Sequence, residues 1–378
     1  MKRIFVSYYS RQNFGDDLFV KLFSNYFSEN RITLLCNPLY VPHQLGRNVH
    51  VSPWSWPIAL IGKLQGIRFL GKYGAHFLQL LYKRFVAWSK KDFDACITIG
   101  GSLFPDYKPS EKYEALPFDV PKDCLRSYSF NSRVNTEWNE FIIGANLGPV
   151  YQKDYFERMK TFFSGYAHVC LRDYASYYPF RDDPHVQYAP DVGFLHRPSC
   201  TATHSDTAII SIMDVSHHTN DPSIVQTYDA FIASVAAKYA AMGQNVVLLS
   251  LCNREGDEAA AQRILKLIPD NNRIQTYAYR GDISAVFHLY ERATVVIATR
   301  FHSMIMGFVY NKPVFPIVYN CKMEHYLQDL TFDSSYATLE TLKNFSADDV
   351  ETCVICECNN HKKYAHNQFE ALKRYLSE

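Results

Sequence analysis

The stretch T-V-V-I-A-T-R-F-H-S-M-I-M-G, Thr294 to Gly307, passes from an unbroken apolar run through a polar cluster into a second apolar pattern. Thr294 to Ala298 reads as a strand covered on both faces, Thr299 to Ser303 as a sharp turn, and the remainder as a helix with Gly307 inside it. Backbone N–H groups in the first turn of a helix have no intrahelical partner and attract anions. Arg300 adds a planar fork of donors at that turn, and His302 adds a side chain that exchanges protons near neutral pH. The stretch therefore predicts an anion site with an acid beside it, at the carboxyl end of a parallel strand.

The same plan recurs on both sides. Downstream, the strand Val314 to Val318 ends in Y-N-C-K-M-E-H, Tyr319 to His325. Lys322 and Glu324 would flank the Arg300 turn if the two strands are neighbours. Upstream, strands at Ala208–Met213, Val246–Leu251 and Ile274–Tyr277 alternate with helical patterns at Pro222–Met242, Asp257–Leu267 and Ile283–Arg292. Asp221-Pro222 starts the longest helix and Gly243 stops it. Residues 201–378 thus predict a doubly wound parallel domain, with 345–378 as its C-terminal tail. In the tail, C-V-I-C-E-C, Cys353 to Cys358, has one CxxC spacing but lacks the second ligand pair of a zinc site. An edge strand or helix is the expected structure, and no metal site is assigned.

Residues 1–200 predict a second Rossmann-like domain. Arg3 to Tyr8 is its first strand, followed by S-R-Q-N-F-G-D-D, Ser10 to Asp17, and a helix over Leu18–Phe27. Asn13 and Gly15 suit a tight turn, and Asp16 or Asp17 suits the helix cap. Arg31–Asn37 is the second strand. Three further strands end in Gly100-Gly101-Ser102, in Asn146-Leu147-Gly148, and in Arg172-Asp173. Because ligands of open parallel sheets sit beyond the carboxyl ends of the strands, these tips are expected to line one crevice. Leu195 to Asp206 loses periodicity and reads as an interdomain linker, while Pro105 to Pro121 reads as a long loop over the cleft.

Composition narrows the function. A length of 378 residues suits two domains, and a net charge of +1 gives no general attraction to nucleic acid. The N-terminal apolar run is too short for a signal peptide, and no apolar stretch reaches the roughly eighteen residues of a membrane span. The ten Cys are scattered and read as reduced core thiols of a cytoplasmic protein. Between Gly46 and Lys91 there is no acidic residue, and basic residues such as Lys83 and Arg84 interleave with aromatics. Such a segment suits either a solvated helix on its own domain or peripheral contact with an anionic bilayer.

Seven motifs occur in a fixed order: N-x-G-D at Asn13 to Asp16, I-G-G at Ile99 to Gly101, G-x-N-x-G around Asn146, L-R-D at Leu171 to Asp173, A-P-D at Ala189 to Asp191, R-F-H-S at Arg300 to Ser303, and N-K-P-V-F-P from Asn311. Together they resemble the polysaccharide pyruvyl transferases, over about residues 3 to 330. The resemblance implies two Rossmann-like domains facing a cleft in a GT-B-like arrangement. It also implies transfer of pyruvate from phosphoenolpyruvate to a sugar as a cyclic ketal, with release of phosphate. It suggests that Arg172, Arg300, His302 and Lys322 serve the donor.

On that basis Arg172, Arg300, Lys322 and Ser303 are expected to bind phosphoenolpyruvate, whose phosphate and carboxylate require several fixed cations. His302 is expected to stay protonated beside the phosphate and to act as general acid. Asp16 is the second candidate catalytic group, with Asn13, Asp17, Gly100, Gly101 and Asn146 on the acceptor side. The first domain would hold the acceptor and the second the donor. No cofactor or metal enters this scheme. The acceptor would be a glycan, lipid-linked, at the inner face of the membrane. Two rivals remain: a nucleotide-sugar-dependent glycosyltransferase of the same architecture, with Glu255 or Asp257 on the ribose, and a non-catalytic sugar- or phosphate-binding module.

Overall fold

A computed structural model describes residues 1–53, 55–56, 92–106, 139–199, 205–269 and 272–378. Most of the basic aromatic segment 46–91, most of the loop expected at 105–121 and the middle of the 195–206 linker lie outside the described residues.

The first sheet has seven strands: β1 (Arg3–Tyr8), β2 (Arg31–Leu35), β3 (Val49–Val51), β4 (Ala95–Ile99), β5 (Glu140–Ala145), β6 (His168–Leu171) and β7 (Val186–Tyr188), in the order β3-β2-β1-β4-β5-β6-β7. The second has six: β8 (Thr207–Ile212), β9 (Asn245–Ser250), β10 (Ile274–Ala278), β11 (Ala293–Ala298), β12 (Val314–Val318) and β13 (Ala337–Thr338), in the order β10-β9-β8-β11-β12-β13. All these pairings are parallel, which requires a crossover between successive strands. Both orders reverse direction once, between β1 and β4 and between β8 and β11. Such topological switch points open a crevice at the strand ends. β11 and β12 are neighbours, as the placement of Lys322 beside the Arg300 turn required. β3 was not anticipated, because V-H-V is too short to show periodicity.

The principal helices are α1 (Phe14–Tyr26), α2 (Tyr155–Phe163), α3 (Pro222–Ala241), α4 (Asp257–Leu265), α5 (Ile283–Arg292), α6 (Phe301–Val309), α7 (Cys321–Asp329) and α8 (Asn367–Ser377). α1 starts four residues before the expected Leu18, because Asn13 rather than an aspartate is its cap. The Asn13 side chain accepts from Gly15 N at 3.0 Å, and Phe14 N donates to Leu251 O of the second domain at 3.1 Å. The two domains are thus joined by backbone at the start of α1. They are also joined by apolar packing: Leu18 and Phe19 of α1, Val192, and Met304 and Ile305 of α6 are fully buried in one core cluster.

The tail does not stay with the second sheet. α8 returns to the first, where Phe369 packs its ring on Phe23, Tyr26 and Phe27, and Tyr375 packs on Phe141. Gln368, 1% exposed, accepts from Gly144 N at 2.9 Å and donates to Ala189 O at 2.7 Å and Pro190 O at 3.2 Å. The apolar face of α8 fits the unfilled surface over β5, so this part of 345–378 belongs structurally to the first domain. Cys353, Cys356 and Cys358 are buried free thiols, and Ile355 makes an isolated antiparallel bridge with Pro313. Among the described residues no helix is long and apolar enough to cross a membrane.

Replacing Gln368 with Leu leaves one N–H and two carbonyl groups buried without that partner. The expected cost is ~2–3 kcal/mol, read as a lower urea midpoint; an unchanged midpoint would show that α8 is not integral to the first domain.

Candidate active site between the two switch points

The site assembles where the strand ends of the two domains face each other. A cavity of about 140 Å3 is bordered by Asn13, Gly15, Asp16, Gly101, Ser102 and Arg172 of the first domain and by Glu255, Arg300, His302, Tyr319 and Lys322 of the second. A larger one, about 350 Å3, adjoins it and shares Ser102, Glu255, Arg300, Tyr319 and Lys322.

The N-terminus of α1 supplies one wall. Helical phase separates the two expected aspartates, since consecutive residues point about 100° apart. Asp16 borders the smaller cavity. Asp17 turns into the core, is 0% exposed, and accepts from Tyr279 Oη at 2.7 Å. Burial pushes its carboxyl well above the ordinary range, and the Tyr279 bond only partly opposes this. Asp17 therefore does not reach an acceptor, contrary to expectation.

Arg172, at the end of β6, is 2% exposed. Its Nη1 pairs with Asp191 Oδ2 at 2.8 Å, its Nη2 donates to Asn146 Oδ1 at 2.7 Å, and its guanidinium lies 4.1 Å from the centre of the Phe301 ring. A Cβ on Gly101 would come within 2.5 Å of Nη2, so only glycine lets the chain pass so close. Asn146, 2% exposed, is spent on Arg172 and does not border either cavity; Gly100 is also buried behind them. These two expected acceptor residues support the site from behind instead.

From the second domain, His302 on α6 reaches across to the first. Its Nε2 is 3.4 Å from Arg172 Nη1 and 3.8 Å from Asp191 Oδ2, and its ring meets Phe19 edge-on at 5.2 Å. Nδ1 lies against Gly15, where a Cβ would stand 1.7 Å away. Burial, then Arg172 and Lys322, push the imidazole well below its ordinary value. These surroundings favour the neutral ring, and the protonated state expected beside a phosphate needs negative charge brought close to it.

Arg300 is engaged by acidic side chains of its own domain. Its Nε donates to Asp257 Oδ2 at 3.0 Å, its Nη2 pairs with Asp257 Oδ1, and its Nη1 pairs with Glu255. The two carboxylates offset the charge of the guanidinium, while Arg300 still borders both cavities. Ser303 is fully buried, with its Oγ accepting from Tyr290 Oη at 2.7 Å, and it borders neither cavity. Lys322, in the first turn of α7, borders both cavities and donates to Ser102 Oγ at 3.1 Å. No described carboxylate lies within ion-pair distance of its ammonium. The sequence reading gave no site role to Asp191 or Tyr319, placed Ser102 only at a strand tip, and named Glu255 only as a ribose candidate of the rival reading. The A-P-D motif already contained Asp191, but the pairing of Glu255 with Arg300 had no local signal.

Two Rossmann-ordered parallel sheets with facing switch points and a polar site between them define the GT-B-like class. Solved structures share that fold at low identity. UDP-bound MnaA of S. aureus aligns at 9% identity, covering 100% of this chain and 98% of its own, with a TM-score of 0.55. The UDP-GlcNAc 2-epimerase of Methanocaldococcus jannaschii aligns at 9% identity, covering 99% of each chain, with a TM-score of 0.54. No protein of curated function matches the sequence. The family model described as polysaccharide pyruvyl transferase matches residues 13–320, and the chain belongs to that family.

The close approaches at Gly15 and Gly101 give a direct test of the electrostatics. In Gly101→Ala the Arg172 guanidinium must move, and one cause of the His302 depression goes with it. NMR titration should find the His302 ring charging at higher pH in the variant than in the wild-type chain. An unmoved titration would show that Arg172 does not act on the ring.

Proposed function

We propose that the chain transfers the pyruvyl group of phosphoenolpyruvate to a sugar of a surface-polysaccharide precursor as a cyclic ketal, releasing phosphate. The observation that carries this reading is the convergence of His302, Arg172 and Lys322, from two domains, on one small polar cavity. Phosphoenolpyruvate presents a phosphate and a carboxylate on a short carbon frame. Lys322 and the starts of α1 and α6 offer it positive potential, while Arg172 acts from behind through the His302 ring.

The lowered pKa of His302 fits this role through linkage. An arriving polyanion offsets the positive field of Arg172 and Lys322 and lifts the imidazole pKa, so donor binding and protonation of the ring are coupled. The protonated ring then gives its proton to the methylene carbon, which becomes a methyl group. A sugar oxygen bonds to the central carbon and its proton ends on the departing phosphate; the carbon–oxygen bond to phosphate breaks, and hydrogen phosphate leaves with the electron pair. A second sugar hydroxyl closes the ketal, and its proton returns to His302. Asp16, on the cavity wall, anchors the acceptor or assists a proton transfer.

Of the ribose candidates of the nucleotide-sugar reading, Asp257 is fully buried and paired with Arg300, while Glu255 borders both cavities. A cytoplasmic location, a lipid-linked acceptor and peripheral contact with an anionic membrane through the basic segment 46–91 are parts of the same proposal and rest on the sequence.

Incubation with phosphoenolpyruvate and p-nitrophenyl galactoside or mannoside should release phosphate and give a product with the mass of a cyclic pyruvyl ketal. Hexose transfer from a nucleotide sugar, or binding without phosphate release, would overturn the proposal. His302→Ala should lower turnover by about a hundredfold or more while the unfolding temperature is retained; a wild-type rate would remove His302 from the mechanism. Calorimetry of phosphoenolpyruvate binding in buffers of different ionisation enthalpy should show uptake approaching about one proton at neutral pH. The sign follows from a ring neutral before binding and charged after it, and binding without proton uptake would contradict the acid role.

A further inference from the structure

The larger cavity, about 350 Å3, exceeds what a three-carbon donor fills. Its wall differs chemically from that of the smaller one. Asp214, His217 and His218 follow β8, Tyr319 and Asn320 follow β12, and Pro149 closes it from the first domain. The His218 ring meets the Tyr319 ring edge-on at 4.7 Å. Asp214 is fixed by Ser216 Oγ, which donates to it at 2.8 Å, and by Arg263 at 3.6 Å. A carboxylate, two imidazoles, an amide and an aromatic ring form a lining suited to a hydroxyl-rich ring: the polar groups take its hydroxyls and the aromatic takes its C–H face.

Glu255 stands where the two cavities meet. Among the described residues it is the carboxylate that borders both. Arg300 pairs with it, and Asp257 locks Arg300 from the other side, so its position is set by a buried support while its own side chain remains 40% exposed. We propose that the larger cavity receives the acceptor sugar and that Glu255 takes the proton from the hydroxyl that attacks the central carbon of the donor. This rests on the pyruvyl-transfer reading. The new carbon–oxygen bond forms with the oxygen's electron pair as the hydroxyl proton passes to Glu255. That proton later leaves with the departing phosphate, which restores the carboxylate. The pairing of Arg300 with Glu255 and Asp257 is thereby explained as the support of a base rather than as a donor clamp. The acceptor lies mainly against the second domain, opposite to the assignment made from sequence.

The test uses the full chain with phosphoenolpyruvate and p-nitrophenyl galactoside or mannoside. Glu255→Gln should lower kcat by about a hundredfold or more without weakening the binding of phosphoenolpyruvate. Glu255→Ala should regain rate with added formate. His217→Trp, which fills the cavity from an exposed position, should raise the acceptor KM at least tenfold without altering the phosphoenolpyruvate Kd. Glu255→Gln within threefold of the wild-type rate overturns the base. An acceptor KM unmoved in His217→Trp overturns the acceptor cavity. If the wild-type chain releases no phosphate from phosphoenolpyruvate, the transferase reading itself fails and the base falls with it, an outcome separate from a working enzyme that does not need Glu255.

Discussion

The contact on which the site depends is the burial of the Arg172 guanidinium between the domains. A charge that is 2% exposed is costly unless its donors are matched, and here the match comes from separate parts of the chain. Asp191 follows β7, Asn146 follows β5, and Phe301 and His302 open a helix of the other domain. Each partner fixes the guanidinium in one direction, and Gly101 provides the space. The relation of the two domains near the site is therefore written into the solvation of one cation.

The charges of the site divide between support and ligand. Arg172 is matched by Asp191, and Arg300 is outweighed by Asp257 and Glu255. Lys322, with the N-terminal ends of α1 and α6, remains directed at the cavity. This division leaves the imidazole of His302 in a positive, desolvated setting, which pushes its pKa well below the ordinary value.

The outer structure serves the same end. α8 returns from the second half of the chain to cover β5, and Gln368 holds Gly144, Ala189 and Pro190 together close behind Asn146 and Asp191. The packing of the tail thus reaches, through backbone, the two residues that hold Arg172.

The alternation of continuous apolar runs with helical patterns was enough to read two parallel-sheet domains from sequence, because the periods of strand and helix are local properties. The ordered motifs at strand ends likewise pointed to Asn13, Arg172, His302 and Lys322, since a parallel sheet sends all its carboxyl ends to one side. Tertiary structure alone decided which neighbours those side chains meet. Asp16 and Asp17 differ by one helical step, and the cap at Asn13 sets the phase that sends one to the cavity and the other to Tyr279. Ser303 faces Tyr290 for the same reason of phase. Arg300 meets Glu255 and Asp257 because β8, β9 and β11 bring together segments more than forty residues apart, a pairing recorded in no local pattern. The same holds for α8, whose apolar stripe specifies that it will be buried but not against which sheet.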